Sequence, residues 1–463
     1  MKRTIITGAH VATVDAAGTE HPHGYVVVDG ASIVAVGDGA PPVWATDALT
    51  PDGEAADIRV TTIDGRGHLL TPGLINTHHH LYQWLTRGWA QDAILFDWLT
   101  ALYPAWSRID ADLTQTASLG AMAVLARSGC TTVGDHHYVF PKDSGDIVGG
   151  IVQSATDLGL RLHATRGSMD LGASQGGLPP DFAVETTSAA LQASGEAVQK
   201  YHDASWGAMV KVAIAPCSPF SVTADLLTES AALARGLGVR LHTHGSETKE
   251  EDAYTREKFG MSPTDYLETL GWLGDDVWMA HCVHLDDDAI RKFAATGTGV
   301  AHCPSSNARL AAGIAPVPQL LAAGAPVGLG VDGAASNESG QLGIEIRESV
   351  LMNRLRAGAD KMSGRQGLYV ATMGGARVLG RQSEIGSVEV GKLADLALWQ
   401  VDTVEHAGIA DPVAALSLGA MPPLTLLLVQ GEPVVEHSRL TRADERSIAE
   451  AVAAASEELT QRL

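Results

Sequence analysis

The chain has 463 residues, 45% of them hydrophobic, enough for a large core, yet no run approaches the ~20 apolar residues of a membrane span. Its 32 Lys and Arg against 54 Asp and Glu give a formal net charge of −22, which argues against a nucleic-acid backbone as partner; a neutral or cationic small molecule suits such a surface better, although the acidity is first of all explained by solubility. The four cysteines make no C-x-x-C pair and predict no disulfide, and the start Met1-Lys2-Arg3-Thr4-Ile5-Ile6 has no signal-peptide pattern, so a cytoplasmic setting is expected.

Residues 1–69 read as β-rich. Runs at 25–30, 32–37 and 61–65 are broken by Asp-Gly and Gly turns, and 39–53, rich in Gly, Pro, Ala and Asp, reads as a loop. From Leu74 the pattern changes. Eight short apolar runs each end on polar residues: 74–80, 131–137, 161–166, 210–216 closing on Cys217, 239–244, 277–281, 299–303, and 327–331 closing on Asp332. Helical patterns such as 225–237 and 286–295 lie between most of them. Strands alternating with helices predict a closed (β/α)8 barrel over residues 70–383, with active-site groups at the C-terminal strand ends. After residue 384 the β-rich style returns at 386–391, 393–399, 426–431 and 433–436. The two ends, 1–69 and 384–463, are expected to build one small β-sandwich domain, followed by an Ala/Glu-rich helix within 442–463 that opens on Asp444 and Glu445.

One segment interrupts the barrel rhythm. Residues 81–110 carry Tyr82, Trp84, Trp89, Phe96, Trp98, Tyr103 and Trp106 in a chain with few aromatics. They suit the wall of a pocket for a flat ring, and equally well packing between helices or across a subunit interface.

The chemistry gathers at the strand ends. In Leu74-Ile75-Asn76-Thr77-His78-His79-His80, residues two apart share a face, so His78 and His80 can reach one ion while His79 points away. His244 closes the fifth run and Asp332 the eighth. Three imidazoles and a carboxylate suit one divalent transition metal, which lowers the pKa of a bound water toward neutrality. Glu247, three residues past His244, is placed to move a proton between that water and a substrate. Asp332 can touch the metal and accept the water's proton, and His281 can polarise the group under attack. His242 shares the face of His244 but sits deeper and reads as packing. His79 reads as structural, His302 as a support behind the site, and His136, His137, His163 and His284 stay open.

The set Pro72-Gly73-Leu74-Ile75-Asn76-Thr77-His78-x-His80, His244-x-x-Glu247, Ala280-His281-Cys282-Val283-His284 and Gly330-Val331-Asp332-Gly333-x-x-Ser336-Asn337 resembles the amidohydrolase superfamily, and within it the cytosine, guanine and triazine deaminase branch. The resemblance covers nearly the whole chain, including the 386–395 stretch. It implies a distorted TIM barrel holding a single zinc, or iron, ion. Binuclear relatives carry a carboxylated lysine at the end of the fourth strand, where this chain has Ala215-Pro216-Cys217. Three stretches, His78-His79-His80-Leu81-Tyr82-Gln83, residues 174–181 and residues 215–222, are similar to the members of the branch that deaminate 8-oxoguanine. The resemblance therefore implies conversion of 8-oxoguanine to urate and ammonia. Gln83 would meet the amine-bearing edge of the ring and Cys217 the opposite edge, although Cys217 equally suits packing. s-Triazine hydrolysis, displacing chloride or an alkylamine, and guanine- or isocytosine-type deamination are the alternatives. The 8-oxoguanine members follow the fifth-strand His with Leu-Ala-Glu-Asn; this chain has Gly245-Ser246-Glu247-Thr248, keeping the Glu among different neighbours. The expected partners are a small heterocyclic substrate and further copies of the chain in a homo-oligomer, with no nucleic acid and no membrane.

Overall fold

The computed structural model describes residues 2–50, 52–54 and 57–463; Met1, Pro51, Ala55 and Ala56 lie outside the described residues. The N-terminal part contributes β1 (Lys2–Ala12), β2 (Glu20–Asp29), β3 (Ser32–Asp38), β4 (Arg59–Asp64) and β5 (His68–Pro72). β1 pairs antiparallel with β2 along one side. On its other side it runs parallel to β4 over Lys2 to Thr7 and then to β5 at His10 and Val11, so the sheet branches there. The expected loop at 39–53, of which Pro51 is undescribed, contains a one-turn helix, Val43–Thr46, that buries Ala45.

At Gly73 the chain passes into the barrel. β6 (Leu74–Asn76), β7 (Cys130–Gly134), β8 (Arg161–Ser168), β9 (Val210–Pro216), β10 (Leu241–Gly245), β11 (Val277–His281), β12 (Gly299–His302) and β13 (Val327–Leu329) form a closed parallel ring. β13 pairs back onto β6 through Leu329 and Asn76. All eight lie within or across the expected runs. The helices between them carry their own stop signals. Thr223 caps the Ala224–Leu237 helix, and Gly238, at φ 69°, ends it in a conformation that costs a residue with a Cβ.

β14 (Leu396–Gln400), β15 (Leu424–Val429), β16 (Glu432–Glu436) and β17 (Arg439–Leu440) complete the terminal domain. β14 lies antiparallel to β5 from Leu396↔Pro72 to Gln400↔His68, joining the two ends of the chain in one nine-stranded mixed sheet. Ile6, Val26 and Ile33 from one end share a buried cluster with Leu396, Leu398 and Leu428 from the other. Residues 386–391, expected as a strand, are not one. Gly386 and Gly391 both sit at positive φ (94° and 92°), which breaks an extended run, and the segment instead hangs its N–H groups on the carbonyls of Thr13 and Ile33. The last helix, Glu445–Gln461, starts where expected, with Asp444 accepting from the Ser447 N–H.

Sheet and barrel are locked by a buried ion pair. Arg161 at the start of β8 binds Asp395, whose carboxylate also accepts from the Gln430 N–H and whose carbonyl accepts from the Gly73 N–H. Among the described residues no helix is long and apolar enough to cross a membrane. All four cysteines are free and buried.

Candidate metal centre and active site

The expected groups meet at the C-terminal mouth of the barrel. His78 and His80 follow β6, His244 and His281 lie at the ends of β10 and β11, and Asp332 follows β13. His281 and Asp332 take left-handed backbone angles, φ 70° and 63°, rare for residues with a Cβ and concentrated at functional turns. The ligating atoms of His78, His80, His136 and His244 lie within 4.8 Å of one another, as do those of His78, His281 and Asp332.

Hydrogen bonds fix which nitrogen each imidazole offers. His80 Nδ1–H donates to the His136 carbonyl (2.6 Å) and His244 Nδ1–H to the Cys217 carbonyl (2.7 Å). His242 Nδ1–H donates to the Trp278 carbonyl (2.9 Å), which leaves its Nε2 to accept from His78 Nδ1–H (2.8 Å). In all three mouth histidines the Nε2 lone pair therefore points inward. Burial pushes all three pKa values down, so the rings are neutral.

That arrangement fits a cation. His80 Nε2 and His244 Nε2 are 3.1 Å apart, and two lone pairs at that distance repel unless a positive charge lies between them. Asp332 Oδ1 lies 3.3 Å from His78 Nε2 and 3.2 Å from His80 Nε2. His78 Nε2 and Asp332 Oδ1 are buried without a hydrogen-bond partner. Ser306 donates to the other Asp332 oxygen, Oδ2 (2.6 Å), and the Ser336 hydroxyl lies 3.2 Å from it, which turns Oδ1 toward the histidines. Burial opposes charge on Asp332, but the His78 contact and the nearby imidazoles hold its carboxyl well below the usual range.

The groups expected to handle protons lie beside this cluster. Glu247, 4% exposed, places Oε2 3.7 Å from His281 Nε2, which is 3.8 Å from Asp332 Oδ2. Burial pushes the Glu247 carboxyl up to about 7, a value suited to moving protons near neutral pH. Burial also disfavours a charged His281, yet the Glu247 and Asp332 carboxylates bring its pKa above the ordinary imidazole value. His281 Nδ1–H donates to Asn307 Oδ1 (2.9 Å), so its Nε2 faces both acids.

A pocket opens above these groups, with about 360 Å³ of empty space, part of it open to solvent. Leu95, Trp98, Leu99, Phe220 and Leu310 form apolar walls, Tyr138, Cys217 and Ser218 add polar tips, and among the described residues no Lys or Arg lines it.

The Amidohydrolase family profile matches residues 69–433. This chain belongs to the amidohydrolase family. It is 43% identical to the 8-oxoguanine deaminase of Pseudomonas aeruginosa over 93% of each chain. It is 35% identical to the hydroxydechloroatrazine ethylaminohydrolase of a Pseudomonas species, over 97% of this chain and 94% of that one. Among solved structures, the zinc complex of atrazine chlorohydrolase from Arthrobacter aurescens superposes with a TM-score of 0.88 at 32% identity, covering 98% of this chain and all of that one. As an amidohydrolase the protein is an enzyme of the hydrolase class.

Within this amidohydrolase the two expected ring-binding residues stand differently. Cys217 lines the pocket, its thiol pushed up to about 12 by burial. Gln83 does not line it. Its amide is fully buried against Gly333, with neither polar atom hydrogen-bonded. The aromatic segment splits in role. Trp98, with Leu95 and Leu99 of the same Leu95–Trp106 helix, walls the pocket, while Tyr82, Tyr103 and Trp106 are buried against one another. His136 was left open by the sequence. Its Nε2–H donates to the Ala215 carbonyl (2.9 Å), its ring stacks on His244, and its carbonyl orients His80. His242, expected as packing, does stack on Trp278 but also sets the tautomer of His78. Ser306 and Asn307 were missed. Their signal was Cys303-Pro304 at the end of the seventh run, since Pro at a first helical position marks a helix starting at the mouth.

Proposed function

We propose that this amidohydrolase removes an exocyclic amine from a flat, uncharged nitrogen heterocycle, with 8-oxoguanine as the first candidate substrate and urate and ammonia as products. The observation that carries the reading is the facing pair Glu247 and His281, set beside a cation-ready cluster at the floor of an apolar, cation-free pocket. The likeness to the Pseudomonas deaminase supports the choice of ring.

His78, His80, His244 and Asp332 would hold one divalent ion, zinc first, given the zinc-bound neighbour, and iron second. When bound, such an ion makes a water nucleophilic near neutral pH. Asp332 and Glu247 accept that water's protons; Glu247 delivers one to the ring nitrogen next to the carbon under attack, and the other goes to the amine as its C–N bond breaks and ammonia leaves. His281 hydrogen-bonds the attacking oxygen while Asn307 holds its tautomer. Trp98, Leu99 and Phe220 orient the ring and exclude bulk water. Cys217 and Ser218, just past the end of β9, line the pocket and would meet the ring edge away from the amine. The free, buried cysteines support the expected reducing, cytoplasmic setting.

The test is a panel of 8-oxoguanine, guanine, isocytosine and aminated or chlorinated s-triazines, read for ammonia, alkylamine and chloride release. Higher kcat/KM for 8-oxoguanine than for guanine is expected, and equal use of both overturns the 8-oxo assignment. The second reading, an s-triazine hydrolase, draws on the two triazine-acting relatives and requires chloride or alkylamine release to dominate.

A further inference from the structure

Glu251 is fully buried in the first turn of the Lys249–Phe259 helix, three residues after the cap residue Thr248. In an ordinary capping box a carboxylate at this place reaches back to the cap residue's own N–H. Here it reaches further. Oε1 accepts from the Ser246 N–H (2.9 Å) and Oε2 from the Glu247 N–H (2.7 Å). Thr248 keeps its half of the box by accepting from the Glu251 N–H (3.3 Å).

The peptide so gripped is the one that launches Glu247. Ser246 sits at φ 53°, a left-handed angle that a residue with a Cβ keeps only when its surroundings hold it there. From the other side the Ser246 carbonyl accepts from the His284 N–H (2.9 Å) and the Gly245 carbonyl from the Cys282 N–H (3.1 Å), tying the turn to the segment that follows His281. The Glu247–His281 separation is thus set by backbone, and one buried carboxylate closes the arrangement.

We propose that Glu251 is a positioning residue for proton transfer. Through two backbone N–H groups it fixes where the Glu247 side chain starts, and so where its carboxyl stands relative to His281 and the substrate's ring nitrogen. The inference rests on the reading of Glu247 as the proton-transfer group. A glutamine at 251 offers one acceptor oxygen and one NH2, so it satisfies one of the two N–H groups and repels the other. An aspartate keeps both oxygens on a shorter stem.

The experiment uses the metal-loaded full chain, with kcat normalised to bound metal and the fastest substrate of the panel. Glu251→Gln should lose roughly a hundredfold in kcat with KM changed by less than about threefold and metal content intact. Glu251→Asp should recover part of that loss. A normal kcat per metal in Glu251→Gln, or a loss that only follows lost metal or lost folded protein, overturns the proposal. If the Gln variant does not fold, Glu251→Asp decides: reduced kcat at unchanged KM supports the role and unchanged kcat overturns it. Glu247→Gln, run in parallel, separates the two levels. If it turns over normally, the reading of Glu247 fails; if it is inactive while Glu251→Gln is normal, only the role of Glu251 fails.

Discussion

His242 Nε2 lies 2.8 Å from His78 Nδ1, and its other nitrogen is held by the Trp278 carbonyl. The chain from carbonyl through two imidazoles leaves the His78 proton on Nδ1 and its lone pair on Nε2. His242→Phe keeps the stacking on Trp278 but removes the acceptor. Metal affinity, measured by chelator competition, should fall roughly ten- to a hundredfold. Unchanged affinity would show that His78 does not need this partner.

Metal removal tests the cluster itself. Stripped protein should lose activity and melt at a lower temperature, because an ion that binds only the folded state stabilises it. One equivalent of zinc per chain should restore both. A requirement for two equivalents would refute the single-ion assignment.

Gly333 follows Asp332 directly, and a Cβ placed there would collide with the Gln83 amide. Gly333→Ala should therefore displace Gln83. If that amide meets the substrate, kcat/KM should fall by tenfold or more in this variant and in Gln83→Ala, with metal content little changed, since unpaired polar groups discriminate strongly. Wild-type kcat/KM in both would remove Gln83 from substrate recognition.

Acid stability should be governed by buried neutral imidazoles. Burial lowers the pKa values of His79, His137 and His302 to about 3, against 6.5 when unfolded. Each therefore contributes stability that is complete above pH 6.5 and is lost as pH falls toward 3. Glu251 and Glu345, raised by burial to about 7 from 4.5, act with the opposite sign, but only between pH 4.5 and 7. Because the depressed histidines, His78, His80 and His244 among them in the metal-free protein, outnumber these glutamates, the urea midpoint of metal-free protein should fall as pH drops from 6.5 to 4.5 and more steeply below 4.5. A midpoint that stays level down to pH 3.5 would contradict this.

Sequence pattern was sufficient for the barrel because each of its strands is a short apolar run that stops on polar residues at the mouth. His78 and His80 were legible from two-residue alternation, and Asp332 from the run before it. Alternation gives the face of a strand but not the depth of a side chain, so His242 and His136 could not be separated from packing until the carbonyls of Trp278 and Ala215 were located. Gln83 was read from its distance along the chain, which does not say whether an amide stops at the pocket or, as here, lies against Gly333. Residues 386–391 look extended because Val388 and Val390 alternate, but the two flanking glycines fold the backbone into a turn.

The pairing of Arg161 with Asp395 also bears on how the chain is made. The two residues are 234 positions apart, and the guanidinium is fully buried. During synthesis the barrel strands all leave the ribosome before Asp395 does. A barrel closed at that stage leaves the Arg161 guanidinium without its carboxylate partner, and its base uncovered, until the C-terminal strands arrive and β14 docks on β5. Truncations that end before Asp395 should therefore yield aggregation-prone barrels, and an N-terminal fragment of this enzyme is a poor starting point for a minimal scaffold.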